Sequence, residues 1–205
     1  MPVEDDPWVK EHSAFGIERL HALGVVTTNW NWCEYHAHEI FGIVTGVKMD
    51  VSRAISHDMG DVSLWERIIT ISETRALQAA DALEALRYAS KLYTANRTNR
   101  NLLVHAQGIT NREHTSLADI IKLTRNKGPK REWLPILDSL ESIRQVADDI
   151  GKLRKYLLDL SVVISVRTIP AHAHHALPDR PPLPNPIWSS PQTARPKRRP
   201  PPQSS

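Results

Sequence analysis

The stretch Asn96-Arg97-Thr98-Asn99-Arg100-Asn101-Leu102-Leu103-Val104-His105 carries the side chains best suited to chemistry. Arg100 is followed directly by Asn101, and His105 lies five residues after the arginine. On a helix, Asn101 and His105 share a face, Arg100 reaches the same place, and Arg97 sits one turn earlier. Two guanidinium groups, an amide and an imidazole near a helix end suit the binding of a phosphodiester. Arginine pairs bidentately with phosphate oxygens, and a histidine near its ordinary pKa of ~6.5 moves a proton at neutral pH. With 10 histidines in the chain, an arginine so spaced from a histidine is uninformative by itself. The intervening asparagine and the helix-end position make the stretch a motif. In a purely structural reading the arginines are solvated, Asn101 frays the helix and His105 complements its dipole.

Other clusters carry less. Glu34, His36, His38 and Glu39 include metal-ligating types, but His36 and His38 point to different helix faces. Glu34 and His38 share a face, which gives two ligands where a zinc site needs three or four. That pair would instead assist acid–base chemistry at Arg100 and His105 if the two helices pack side by side. No metal and no cofactor are expected. Cys33 falls on an apolar stripe and reads as core, as do Trp30, Trp32 and Trp65 as packing residues.

The elements that must position the motif read as helices. Apolar residues recur at helical spacing from Ser13 to Gly46, with a kink or break near Gly24. Asp50 is placed as the cap of a short helix running to Met59 and closed by Gly60, and Asp61 as the cap of a third. A long helix follows from about residue 77 to His105, and another from Pro135 to Val166, with Pro135 suited to a first turn. The last carries a continuous stripe of Ile136, Leu140, Ile143, Ala147, Ile150, Leu153, Leu157, Leu160 and Ile164. Between them the chain is polar, and residues 115–124 read equally as extended or helical. The fold expected is all-α, an antiparallel helical bundle over residues 14–168, after a flexible N-terminus at 1–13.

The remaining segment, 169–205, is expected to be a disordered Pro/Arg-rich tail. Residues 170–205 hold 11 of the 15 prolines and five basic residues against Asp179 alone. Their net +4 leaves 1–169 at −1, out of +3 for all 205 residues. The basicity therefore belongs to the tail, and the pI near 9.1 is weak evidence for nucleic acid. The tail is predicted to be dispensable for folding. RPPLP has polyproline II character, PKRRP would attract phosphates through charge, and His172, His174 and His175 form a minor cluster. An acidic start without an apolar core segment, no membrane-length apolar run and a single cysteine point to a cytoplasmic protein.

The motif Arg100-Asn101-x3-His105, behind a Trp-rich first helix (NWNWCEYHAHEIF) and before a final amphipathic helix, resembles the HEPN superfamily. The resemblance covers about residues 14–168 in layout, while only the six-residue motif is specific. It implies a helical bundle that forms a homodimer, with motifs from two chains meeting. In active members RNA is cleaved without metal, the 2′-hydroxyl attacking its own phosphate. Carried over, His105 is the general acid or base, Arg100 stabilises the phosphorane, Asn101 orients the phosphate or the imidazole, and Arg97 helps to bind substrate. The settings implied are toxin–antitoxin or defence systems, with RNA and an antitoxin-like protein as partners. The alternative is a non-catalytic helical dimer acting as a protein- or RNA-interaction module.

Overall fold

The computed structural model describes residues 6–12, 16–75, 80–104, 107–109, 119–125, 131–136 and 139–187. Six helices are present among them: α1 (Pro7–His12), α2 (Ile17–Thr45), α3 (Met49–Ser56), α4 (Asp61–Arg75), α5 (Ala80–Val104) and α6 (Leu140–Arg167). The helical body expected from the apolar stripes is present. Ser13, where the first stripe begins, lies outside the described residues.

Helix α2 runs unbroken through Gly24, so no kink occurs there. Gly24 is exposed, and a Cβ at this position would meet nothing within 4 Å. The β-branched residues around it are held by packing, which overrides their weak helix propensity. Gly46 does stop the helix. Its φ of 70° is left-handed, and its N–H reaches the carbonyls of Gly42 and Ile43. Helix α3 is capped by Lys48 rather than Asp50, and Asp61 is the first residue of α4 rather than the residue before it. Both carboxylates still lie in a first turn, where the helix dipole favours them.

The core lies where α2, α4, α5 and α6 meet. Val26, Trp30, Cys33 and Ile40 of α2 pack with Leu86, Ala89, Leu92 and Tyr93 of α5 and Ile143, Ile150, Leu153, Leu157 and Ile164 of α6. Cys33 is fully buried, its thiol 3.7 Å from the Ile150 carbonyl, and burial pushes its pKa up and out of the reactive range. It is a core residue, as its place on the stripe implies.

Between α5 and α6 the described residues are extended. Strands β1 (Gln107–Ile109), β2 (Asp119–Arg125) and β3 (Arg131–Ile136) form an antiparallel sheet in the order β1-β2-β3. Of the segment that read equally as extended or helical, residues 119–124 belong to strand β2, and 115–118 lie outside the described residues. The all-α description holds for the helical body and stops at this excursion. Pro135 does not open α6. It sits in β3, opposite Ile121 and on an edge strand, where a residue without an N–H is tolerated. The helix begins at Leu140, after Ser139, whose side chain accepts from the Ser142 N–H.

The disordered-tail expectation does not apply to residues 169–187. After a single 3-10 turn at Pro170–His172, the chain lies along α5 as an extended strap. Leu177 and Ile187 pack against the core. Tyr88 Oη donates to the Pro181 carbonyl, and Arg180 pairs with Glu84 at 2.9 Å while lying over the Tyr88 ring. At the far end Asn99 Nδ2 donates to the Asn185 carbonyl (2.8 Å), and its Oδ1 accepts from the Ile187 N–H (3.3 Å). Proline is compatible with this geometry because an extended chain on a helix surface needs few of its own donors. Composition suggested disorder because the partner groups on α5 lie about 90 residues away in sequence. Residues 188–205 lie outside the described residues.

This packing predicts that ending the chain at His175 lowers the thermal midpoint. Losing the burial that Leu177 and Ile187 contribute costs about 1 to 3 kcal/mol each, several degrees for a domain of this size, and the Asn99 amide loses both of its strap partners. An unchanged midpoint in a thermal melt would contradict the strap's contribution.

Candidate functional site

Tyr93, Arg97 and Arg100 are spaced four and three residues apart and form one edge of α5. Tyr93 is buried between Trp30 of α2 and Trp65 of α4, with ring centroids 4.7 and 5.6 Å away. These offset aromatic contacts fix the spacing of three helices. Above them lie two carboxylates and two guanidinium groups: Glu34 from α2, Asp61 from α4, and Arg97 and Arg100 from α5.

Each has a defined neighbour. Glu34 Oε1 accepts from Trp30 Nε1 at 2.7 Å. Arg97 stands 3.9 Å from Asp61, both partly exposed, a loose ion pair of little net strength. Arg100 Nη1 donates to Asn101 Oδ1 at 3.0 Å, and its guanidinium lies 5.8 Å from the Trp30 ring centre. Arg100 Nε is buried and has no hydrogen-bond partner, as do Trp65 Nε1 and Asn96 Oδ1. Of these three, Arg100 Nε and Trp65 Nε1 belong to residues around the aromatic seam.

The Glu34 carboxyl is held above its ordinary pKa. Burial raises its pKa, the Trp30 hydrogen bond opposes this, Asp61 raises it further and Arg100 lowers it. Tyr93 is shifted upward by burial and by Asp61 and Glu34, so its hydroxyl stays protonated.

Of the four residues singled out from sequence, Arg97, Arg100 and Asn101 fall on the last two turns of α5. Arg100 and Asn101 are in direct contact. His105 lies outside the described residues, one position beyond the end of α5. Sequence reasoning anticipated Glu34 as a helper and missed Asp61, which it read only as a cap. The tyrosine-to-arginine spacing on α5 was the available signal for the seam, and no local signal joined it to Asp61. Asn99, inside the motif stretch, faces away from this cluster and holds the strap. The Glu34, His36, His38 and Glu39 group is dispersed. His36 Nδ1 is 2.7 Å from Glu39, His38 Nδ1 is 2.7 Å from Ser56, and Glu34 is on Trp30.

Neither a family model, nor a curated protein, nor a solved structure matches the chain. The functional reading therefore rests on the residues alone.

Glu34→Gln tests the electrostatics. A carboxyl whose folded pKa exceeds its unfolded value binds more protons when native, so its ionisation removes stability as pH rises through that window. Gln keeps the acceptor for Trp30 and cannot ionise. The variant should gain in thermal midpoint over wild type at about pH 7 relative to about pH 4. A difference independent of pH would contradict the shift.

Proposed function

We propose that the chain is a HEPN-like helical-bundle protein acting as a metal-independent endoribonuclease of toxin or defence type. The observation that carries the reading is the last part of α5, where Arg100, in contact with Asn101, keeps an unpaired buried Nε above an aromatic floor. A guanidinium with unused donors is the group a developing phosphorane needs. His105 is the general acid or base in this reading, Arg100 the charge stabiliser, Asn101 the orienting group and Arg97 a substrate contact. No cofactor is needed, because the nucleophile is the 2′-hydroxyl of the RNA. The packing of α2, α5 and α6 on one core supports the bundle, and among the described residues no helix is long and apolar enough to cross a membrane. We place the protein in the cytoplasm, as a homodimer with an antitoxin-like protein as a further partner.

A second reading is favoured by α3. Its serines, Ser52 and Ser56, face the protein while Val51 and Ile55 are 46% and 51% exposed. An amphipathic helix with its apolar side outward suits a protein contact, and a non-catalytic interaction module would use it.

Purified protein in excess chelator should cleave single-stranded RNA to products with a 2′,3′-cyclic phosphate and leave DNA intact. His105→Ala should lower the rate by roughly 10² to 10⁴, the usual worth of a positioned proton-transfer group. Arg100→Ala should also lose activity while remaining folded. Wild type no faster than His105→Ala, or cleavage that requires metal, would leave the interaction module standing.

A further inference from the structure

Asn96 lies on α5 one turn before Arg100 and is 1% exposed. An amide is a costly choice at so buried a position unless both of its ends are used. Its Nδ2 donates to the Leu92 carbonyl at 3.0 Å, and this bond sets the orientation of the amide. Turned over, the amide would set its oxygen against that carbonyl. Asn96 Oδ1 is therefore a buried acceptor without a partner.

Arg100 presents the matching group. Its Nε is buried and unpaired, and this nitrogen only donates. Because the atom is buried, bulk water does not satisfy it as it would an exposed group. Residues four apart stand side by side on one helix face, so the free donor and the free acceptor are neighbours. The nearby side-chain oxygens have partners of their own. Asn101 Oδ1 takes Arg100 Nη1, Glu34 Oε1 takes Trp30 Nε1, and Asp61 faces Arg97. Trp65 Nε1 is the other buried donor without a partner, but it is neutral and comes from α4. A charged donor makes the stronger bond.

We propose that Asn96 is a positioning residue for Arg100. Rotation about the outer torsions of Arg100 brings its Nε–H onto Asn96 Oδ1, and this seat fixes the plane of the guanidinium. Of its five N–H groups, one then goes to Asn96 and one to Asn101, which leaves three on Nη1 and Nη2. Those three form the end of the fork that pairs with two phosphate oxygens. A guanidinium held in this way is ordered before charge develops on a phosphorane, so no reorganisation is needed at that moment. The consequence for RNA cleavage rests on the reading of Arg100 as the charge stabiliser, whereas the seat itself does not.

The test follows the Arg100 Nε–H proton by NMR in the full chain with isotope-labelled arginine side chains. In wild type this proton should exchange slowly with water and show a nuclear Overhauser contact to the Asn96 β protons. Asn96→Leu, similar in size and without an acceptor, should speed its exchange about tenfold or more. Asn96→Asp keeps the acceptor and should keep the protection, and Arg97 should respond to neither change. In RNA cleavage Asn96→Leu should lower kcat and leave KM nearly unchanged, the pattern of an interaction made in the transition state. A missing Overhauser contact in wild type would overturn the assignment, as would equal Arg100 exchange in wild type and Asn96→Leu. So would protection lost in Asn96→Asp, or lost at Trp65 Nε1 in place of Arg100. Wild type that leaves RNA intact while Arg100 keeps its Asn96-dependent protection would support the seat and overturn only the ribonuclease reading.

Discussion

One stretch of α5, from Leu92 to Val104, must serve two surfaces at once, and helical geometry decides how. With each residue advancing about a third of a turn, Tyr93, Arg97 and Arg100 fall on one edge, and Leu92, Asn96, Asn99 and Leu103 on another. The first edge meets α2 and α4 through the Trp30–Tyr93–Trp65 seam and gathers Glu34, Asp61 and the two arginines. The second is buried, and Asn99 uses both ends of its amide on the backbone of the strap. The residues read as chemical and the residue that ties down the C-terminal segment are therefore neighbours on one rigid element. A change at either surface is transmitted through the same two helical turns.

The carboxylates give the arginine cluster its character. Two cations beside two carboxylates form a nearly neutral site, unlike the open basic patch that binds nucleic acid through charge alone. Burial raises the pKa of Glu34 within it, and the Trp30 hydrogen bond and Arg100 oppose that shift. The charge balance of the chain agrees with this. The excess of basic residues is in the C-terminal segment, and the helical body is close to neutral.

Much of this was legible in the sequence, for reasons that can be named. The helical stripes of α2, α5 and α6 are long enough for periodicity to be unambiguous, and Gly46 stops α2 because a left-handed residue is needed there. The motif stretch was visible because arginine, asparagine and histidine are close in sequence. What was not legible depends on distant contacts. Pro135 fits a helix start and an edge strand equally well, and only pairing with Ile121 decides between them. The strap looked disordered because its order comes from Tyr88, Glu84 and Asn99, none of which its own sequence announces. Asp61 looked like a cap because nothing nearby revealed that Arg97 would face it.

The account makes Asn99 the joint between the strap and the turns that carry Arg97, Arg100 and Asn101. Hydrogen exchange on Asn99→Ala, compared with wild type, tests this most directly. The account predicts faster exchange both at the amides of Asn185 and Ile187 and in the last two turns of α5, with α2 and the middle of α6 unchanged. Exchange that accelerates in the strap alone, leaving the end of α5 as protected as before, would contradict it.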